Sequence, residues 1–409
     1  MPRDRTRETR AYRWFHQLLR MIVGPIAIWY YRLGAENLAA ARRVRPPYIV
    51  APNHVMTWDP VLVSYFLREP VYWVAADANF RRSFFSWWLR RVGTIAKSKN
   101  MSDFGMMRQI LKLLGSGRVI GIFAEGQRTW DGATLPLIPS TAKLIKLAGV
   151  PVVSPILKGA YLTLPRWALN SRRGRVIIEY RIALTAEEVK TFSVAEIHKR
   201  LVATLSHDDS EWQKTNPHRH VSSRSAETLQ LALFWCPECD EFNTMKSQGH
   251  RFYCESCGYQ VRFSSLGWFA PLNPGSPAPR FTTVHEWTVA QQEAVRRKIA
   301  ALHPHAPHEV LFQDSGVEYL RGFRTARLSL EGTGSIAFAR GGVEFRYDDG
   351  RLTTFPWDEI RGVNVVYRDQ LEFYSRGRLC VFRFPRHDTS GLKYLICADE
   401  LARQDALRP

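Results

Sequence analysis

The chain has 409 residues, and its 57 Lys and Arg against 38 Asp and Glu give a formal net charge of +19. Hydrophobic residues make up 45%, enough for real cores, and the length predicts two or three domains. The composition therefore excludes a chain without a folded domain. The positive charge predicts an acidic partner, such as an anionic membrane, a phosphorylated substrate or nucleic acid. The 13 Trp residues favour the membrane, because Trp prefers the bilayer interface.

The N-terminal region shows no evident signal peptide, because residues 1–13 contain Asp4 and Glu8 and no convincing cleavage site follows. The longest apolar stretch, residues 21–31, is about half the length of a membrane-spanning helix. It is rich in Trp and Tyr and flanked by Arg, so it can lie in the plane of the membrane interface. An ordinary buried first helix is the equal alternative. Residues 80–92 mix aromatic residues with Arg. They are expected to form either an amphipathic helix that faces the membrane or a helix that packs on the sheet with its arginines in solvent.

Short apolar strands alternate with helical periods from residue 21 to about residue 187. This alternation indicates an α/β domain. The pattern predicts strands at 48–51, 71–75, 119–124, 150–153 and 175–180, and helices at 103–116 and 140–148.

A histidine and an aspartate lie five residues apart in the segment from Asn53 to Pro60. The segment follows a predicted strand, so it lies on a turn, where functional groups are often found. The Pro60 ring disfavours a helix through Asp59, and a turn can bring the Asp59 carboxylate to one ring nitrogen of His54. That contact would fix the tautomer and leave the other nitrogen as a base. Such a base can take the proton of an alcohol that attacks a thioester, without an enzyme serine.

Three further motifs accompany this segment: residues 93–99 (GTIAKSK), residues 123–129 (FAEGQRT) and residues 150–156 (VPVVSPI). In order and spacing, the four resemble the motifs of the glycerolipid acyltransferase family, whose best-known members acylate lysophosphatidic acid. The resemblance covers roughly residues 30–185. It implies an α/β acyltransferase domain with a mixed sheet flanked by helices.

The resemblance also implies roles for single residues. His54 is then the general base and Asp59 its orienting partner. The residues that would bind the acceptor are Lys97, Lys99, Glu125, Gly126 and Arg128. Of these, Arg128 and Lys99 would contact the phosphate group of the acceptor. The alternatives are a surface ion pair for Glu125 and solvated side chains for the two lysines. Departures from the family pattern include Ala124 in place of Pro and Lys99 in place of Arg, and they leave the acceptor head group open.

Four of the six cysteines form two CxxC pairs, Cys236 with Cys239 and Cys254 with Cys257, separated by fourteen residues. Paired thiolates on two turns give four sulfur ligands, the arrangement of structural zinc. The segment resembles a zinc ribbon with a structural or docking role. Cys380 and Cys397 lie in apolar stretches and are expected to be buried structural thiols.

The C-terminal part changes to a strand-rich pattern. About seven short strands are predicted between residues 326 and 384, followed by an amphipathic helix over 389–404. A further helix is predicted over 287–302. The strand count and the closing helix resemble a pleckstrin-homology (PH) or GRAM-like domain. Such domains often bind phosphoinositides, acidic lipids or proteins.

Together these observations predict an acyltransferase domain at residues 1–217, a zinc ribbon at 231–264 and a PH/GRAM-like domain at 285–409. The predicted activity moves a fatty acyl group from acyl-CoA or acyl-carrier protein to a lysophospholipid such as 1-acylglycerol 3-phosphate. The expected location is the cytosolic face of a membrane, peripheral or monotopic, with a protein partner available to the ribbon or the C-terminal domain. The alternative is a catalytically silent, lipid-binding scaffold, against which intact His54 and Asp59 argue. Nucleic-acid binding is disfavoured, because the basic residues are spread out.

Overall fold

The computed structural model describes residues 13–81, 83–97, 104–303, 306–385 and 388–406. Contacts divide the chain into two compact units. Unit 1 comprises residues 1–165 and 172–220, and unit 2 comprises residues 166–171 and 221–409. The four cysteines and the C-terminal strands therefore belong to the same unit. The division into three domains with the ranges given above stays a prediction.

Unit 1 is built on a seven-stranded mixed sheet. The strands lie in the order β1-β7-β6-β2-β5-β3-β4, and only β6 and β7 pair in antiparallel fashion. The predicted α/β unit with a mixed sheet is confirmed. The strands are β1 (Gly34–Glu36), β2 (Tyr48–Val50), β3 (Val71–Ala76), β4 (Ile95–Lys97), β5 (Val119–Gly121), β6 (Val152–Lys158) and β7 (Ile177–Leu184).

Helices lie on both faces of this sheet. Alternate residues of β2 enter different core clusters: Ile49 packs in one, and Tyr48 and Val50 pack in the other. This alternation is what a strand covered on both faces requires. The helices of unit 1 are α1 (Arg13–Tyr31), α2 (Leu38–Arg43), α3 (Asp59–Phe66), α4 (Ser83–Arg91), α5 (Phe104–Gly115), α6 (Pro139–Ala148), α7 (Ala160–Thr163), α8 (Ala186–Thr191), α9 (Val194–Leu205) and α10 (Asp209–Thr215).

Helix α1 runs through Pro25 without a break and leaves much of its apolar surface exposed. Met21 is 68% exposed and Trp29 is 65% exposed. Within the described residues, no helix combines the length and the apolar character needed to cross a bilayer. Helix α1 is therefore not the fully buried first helix that the sequence left open. The exposed apolar side chains of this helix are Leu18, Met21, Ile22, Ile26, Ile28 and Trp29.

Unit 2 begins with a small antiparallel sheet in the order β11-β10-β9-β8. A helix, α11 (Val284–Ala300), follows it and starts with a capping box between Thr283 and Glu286. The strands of the small sheet are β8 (Met245–Gln248), β9 (Arg251–Cys254), β10 (Gln260–Phe263) and β11 (Phe269–Ala270).

The C-terminal part of unit 2 is an antiparallel β structure of seven strands in the order β15-β14-β13-β12-β18-β17-β16. The predicted strand-rich architecture is therefore present. A terminal helix, α12 (Gly391–Ala406), follows the last strand. The strands are β12 (Val310–Gly322), β13 (Ser329–Ala339), β14 (Gly342–Tyr347), β15 (Leu352–Pro356), β16 (Ile360–Val366), β17 (Gln370–Ser375) and β18 (Arg378–Arg383).

The predicted number of strands in this part is right, but two strands were predicted incorrectly. One strand was missed, and another was predicted as two. Strand β12 was not predicted, because its apolar pattern is interrupted by a bulge between Asp314 and Val317. Gly316 lies in that bulge with a φ of +68°. Residues 326–330 and 335–339, predicted as two strands, contribute to the single strand β13. The glycines between them remain paired with neighbouring strands.

Candidate active site and four-cysteine cluster

The turn that carries the predicted base is fixed to the sheet by Asn53. After β2, the Asn53 side chain is buried and its Oδ1 accepts a hydrogen bond from the main-chain nitrogen of Leu157 at 2.8 Å. Its Nδ2 donates to the carbonyl oxygen of the same residue at 3.3 Å. The amide thereby substitutes for a strand partner at the end of β6. This contact holds the next residue, His54, at the carboxyl end of β2.

The contact predicted between His54 and Asp59 is present. Nδ1 of His54 lies 2.8 Å from Oδ2 of Asp59. The histidine side chain is 18% exposed, whereas the aspartate side chain is completely buried. Because a carboxylate only accepts hydrogen bonds, this contact places the imidazole proton on Nδ1 and leaves Nε2 as the basic nitrogen.

The buried Asp59 carboxylate is stabilised by main-chain donors. The nitrogen of Val55 donates to Oδ2 at 2.7 Å, and the nitrogen of Met56 lies 3.1 Å and 3.0 Å from Oδ1 and Oδ2. Asp59 begins helix α3, and Pro60 lies in its first turn, where a missing N–H costs nothing. The expectation that Pro60 keeps Asp59 out of a helix is therefore wrong, although the turn before it forms as required.

Glu125 contacts the turn through main-chain donors. Its Oε1 accepts from the nitrogen of His54 at 2.7 Å, and its Oε2 accepts from the nitrogen of Leu135 at 2.7 Å. The side chain is buried, and this burial raises the pKa of Glu125 to about 8. The main-chain oxygen of His54 in turn accepts from the nitrogen of Thr129 at 3.0 Å. Both main-chain polar groups of His54 are thus held by the segment that contains Glu125.

Gly126 and Arg128 lie in the same segment. Gly126 has a φ of +72°, and a Cβ atom there would lie 2.4 Å from Cδ1 of Ile138. Both the conformation and the space favour glycine. Nη1 of Arg128 donates to Oγ1 of Thr57 at 2.8 Å, which brings the guanidinium next to the turn between His54 and Asp59. Asn53 and Thr57 were not predicted to take part, although both lie within the motif.

The two lysines of the second motif differ in what the structure describes. Lys97 is the last residue of β4 and pairs in register with Ala76 of β3. It is half-buried. Lys99 lies outside the described residues, so its predicted phosphate contact stays a prediction.

The four cysteines of unit 2 form a cluster. The Sγ atoms of Cys236 and Cys257 are 3.7 Å apart, those of Cys239 and Cys254 are 3.8 Å apart, and all four lie within 4.8 Å of one another. A tetrahedral zinc ion with Zn–S bonds of about 2.3 Å separates its sulfurs by about 3.8 Å. The cluster therefore has the dimensions that a structural zinc ion requires.

The two turns of the cluster have the same backbone pattern. Asp240 donates to the carbonyl oxygen of Cys236 at 3.0 Å, and Gly258 donates to that of Cys254 at 3.2 Å. Both donors have positive φ, +60° for the aspartate and +77° for the glycine. Each turn presents two sulfurs, which is how paired knuckles hold one metal. Cys380 and Cys397 are buried elsewhere, as expected of structural thiols.

Part of the chain matches a known protein family. Residues 33–158, which contain His54, Asp59 and Glu125, match the family model described as Acyltransferase. A similar solved structure is the 1-acyl-sn-glycerophosphate (LPA) acyltransferase PlsC from Thermotoga maritima, at 17% sequence identity and a TM-score of 0.43. That alignment covers 50% of this chain and 80% of the other. No curated protein sequence matches this chain significantly.

Proposed function

We propose, from the acyltransferase match and the geometry around His54, that this chain transfers a fatty acyl group from a thioester to the hydroxyl of a lysophospholipid. The contact of 2.8 Å between His54 Nδ1 and Asp59 Oδ2 carries the proposal. It supplies an oriented base in a domain of the matching family. The donor is acyl-CoA or acyl-carrier protein, and the acceptor is a lysophospholipid such as 1-acylglycerol 3-phosphate.

In the proposed reaction, Nε2 of His54 takes the proton of the acceptor hydroxyl. The hydroxyl oxygen attacks the thioester carbonyl carbon, the C–S bond breaks, and the thiolate leaves with the proton returned by the imidazolium. Asp59 keeps the tautomer that makes Nε2 basic and stabilises the imidazolium as it forms. The proton is thus taken up and given back within one turnover.

Three residues of the third motif, Glu125, Gly126 and Arg128, have different roles in this proposal. Glu125 holds the main chain of His54, so we assign it a positioning role rather than a direct contact with the acceptor. Gly126 permits the tight backbone that leads to Arg128. The Arg128 guanidinium, close to Thr57, is suited to a phosphate group on the acceptor, because planar two-point contacts favour phosphate. Lys97 and Lys99 would add positive charge there.

Membrane association is supported by the exposed apolar surface of α1. Leu18, Ile22, Ile26 and Trp29 follow helical spacing, and Arg173 lies over the Trp29 ring at 4.9 Å. An apolar stripe with aromatic residues and nearby arginine suits the interface of an anionic membrane. We place the protein peripherally or monotopically at the cytosolic face, where its acceptor would reside.

Unit 2 is proposed to supply docking. The four cysteines would hold one structural zinc ion, with Cys236, Cys239, Cys254 and Cys257 as ligands and no position open for catalysis. The seven antiparallel strands followed by α12 support the PH/GRAM-like interpretation. Such a module would bind an acidic lipid or a protein partner.

The test is acyl transfer by the purified full-length protein. Radiolabelled acyl-CoA and acyl-carrier protein are each offered with lysophosphatidic acid, and the diacyl product is measured. Wild type should form product, and His54→Ala should lose about 10²- to 10⁴-fold in kcat. His218→Ala, which removes a half-buried imidazole outside the four motifs, is the matched control and should remain active. Near wild-type turnover by His54→Ala would contradict the mechanism.

A further inference from the structure

Three aromatic rings are stacked in a column that ends at His54. The imidazole lies on the ring of Phe123 with centroids 3.7 Å apart and planes inclined by 17°. Phe123 in turn lies on Trp73 with centroids 5.0 Å apart and planes inclined by 19°. The rings are nearly parallel throughout. One face of the imidazole is therefore covered by Phe123.

The far end of the column is fixed to the sheet. Trp73 is buried on β3, and its Nε1 donates to Oγ of Ser64 on α3 at 2.9 Å. The residue paired with it in register on β5 is Gly121. A Cβ atom on Gly121 would lie 2.4 Å from Cε3 of Trp73. The glycine thus makes room for the indole to lie across β5, directly beneath Phe123.

The stack supplies a restraint that Asp59 alone does not give. The hydrogen bond from Nδ1 of His54 fixes one atom of the imidazole, but the ring can still tilt about that contact. A flat aromatic face at stacking distance removes this tilt and so sets the direction of Nε2. The same face stabilises a positive charge above it, and the imidazole becomes positively charged when it accepts a proton. Both effects favour a base aimed in one direction.

We propose that Phe123 is a positioning residue that orients the His54 imidazole for proton transfer. The inference rests on the proposed acyl transfer and extends it to a residue that the reaction chemistry does not itself require. Phe123 acts through His54, and Trp73 supports Phe123 from behind. The aromatic face, rather than apolar volume alone, is the property that matters.

The kinetic test compares Phe123→Leu with Phe123→Tyr. Loss of the flat face should lower kcat by about 10- to 100-fold, because a small misalignment of a catalytic group costs that much. The KM values for donor and acceptor should stay within about twofold, since substrate contacts remain. Phe123→Tyr keeps the face and should retain most of the wild-type kcat. The matched control is Phe66→Leu, another half-buried phenylalanine packed against the same core cluster.

A second measurement does not depend on activity. With isotope-labelled histidine, the ring protons of His54, assigned by their loss in His54→Gln, should resonate upfield because of the Phe123 ring current. Phe123→Leu should remove this shift, and Phe66→Leu should not. Melting curves of the variants show whether each remains folded.

The outcomes separate two failures. If the wild type is active and Phe123→Leu has the same kcat, the positioning role is overturned but the proposed function is not. The same holds if the ring protons of His54 in the wild type show no upfield shift. Equal loss of kcat in Phe123→Tyr and Phe123→Leu would also overturn it, because aromaticity would then not matter. A wild type that transfers no acyl group to any acceptor would overturn the proposed function, and this inference with it.

Discussion

The main-chain nitrogen of His54 donates a hydrogen bond of 2.7 Å to Oε1 of Glu125, a residue 71 positions later in the chain. The other oxygen of Glu125 accepts from Leu135 at the same distance. One buried carboxyl group therefore joins the turn of the predicted base to the loop that follows β5. Burial of this carboxyl group raises its pKa, so the stability of the fold should depend on pH.

Stability should depend on pH through Glu125. Burial raises its pKa from the ordinary 4.5 to about 8, so between these values the folded protein holds a proton that the unfolded chain has lost. The free energy of unfolding contributed by this group is therefore fully present below pH 4.5 and is lost as pH rises through about 8. At about 1.4 kcal/mol per pH unit, the loss approaches about 5 kcal/mol.

The measurement is urea unfolding of wild type and Glu125→Gln at several pH values between 4 and 9. Glutamine does not titrate, so the variant should lack this part of the pH dependence. Glu211→Gln, at an exposed glutamate, should retain it. Parallel pH profiles for wild type and Glu125→Gln would show that the carboxyl does not titrate in this interval.

Asp59→Asn should reduce turnover more than it reduces binding. An amide cannot accept from Val55, Met56 and His54 as the carboxylate does, and it no longer favours the tautomer with a basic Nε2. We expect kcat to fall about 10²- to 10⁴-fold. The matched control is Asp209→Asn, which alters a second buried His–Asp pair: His207 Nε2 lies 2.7 Å from Asp209. That variant should lose stability but keep kcat, and equal losses would contradict a specific role for Asp59.

Arg128→Ala should weaken the preference for a phosphorylated acceptor. A charge-assisted contact is worth about 1.5–3 kcal/mol, so kcat/KM for lysophosphatidic acid relative to monoacylglycerol should fall about 10- to 100-fold. The KM of the acyl donor should change much less. Arg200→Ala removes an exposed guanidinium that pairs with Glu188 and serves as the control. If wild type has the same kcat/KM for both acceptors, the site does not recognise the phosphate group of the acceptor.

The sequence predicted those parts of the site that depend on local spacing. His54 and Asp59 are five positions apart in the chain, a separation that a single turn can bridge, and the contact is present. The contacts of Glu125 and Phe123 with His54 depend instead on how β2 and β5 lie beside each other in the sheet. No local period encodes that neighbourhood. Gly121 was the available signal, since a glycine in an apolar strand often marks close approach by another group.

In the fold, too, features set by local sequence were predicted and features set by tertiary contacts were not. Strands with continuous apolar runs, such as β2 and β3, were predicted within one residue of their observed ends. Strand β12 was missed because its pairing continues across a bulge that interrupts the alternation of side chains. Helix α1 continues through Gly24 and Pro25, although a proline inside a helix usually breaks or kinks it. Tertiary packing explains this, because Gly24 lies against the Tyr65 ring, where a Cβ atom would approach to 2.0 Å.

Metal removal should destabilise the whole of unit 2. Gln291 of α11 accepts from the main-chain nitrogens of Phe234 and Trp235, just before the first cysteine pair. Lys393 of α12 donates to Asn243 at 3.0 Å, between the two pairs. A zinc ion bound at the cluster would therefore stabilise contacts made by both helices. We expect one zinc per chain, and chelation should lower the melting temperature, by about 2–4 °C for each kcal/mol lost.

Cysteine variants provide the comparison for this prediction. Cys239→Ala should lose the zinc and melt like the chelated wild type. Cys380→Ala removes a thiol outside the cluster and should keep one zinc per chain. Hydrogen exchange should report loss of protection in α11 as well as in β8 and β9. Unchanged protection of α11 after complete zinc removal would show that the cluster stabilises only its own turns.

The exposed side of α1 should control binding to membranes. Ile26 lies in the middle of its apolar stripe and is exposed, so burying it in a bilayer is favourable and placing a charge there is not. We expect Ile26→Asp to reduce binding to vesicles of phosphatidylglycerol and phosphatidylcholine by at least about tenfold, since burial of such a side chain is worth about 1.5–3 kcal/mol.

Leu147→Asp introduces the same charge at an exposed apolar residue of α6 and should bind like wild type. Cosedimentation measures both variants, and raising the salt concentration should weaken wild-type binding because arginines such as Arg173 contribute electrostatically. Equal losses in Ile26→Asp and Leu147→Asp would mean that net charge, and not the surface of α1, determines membrane binding.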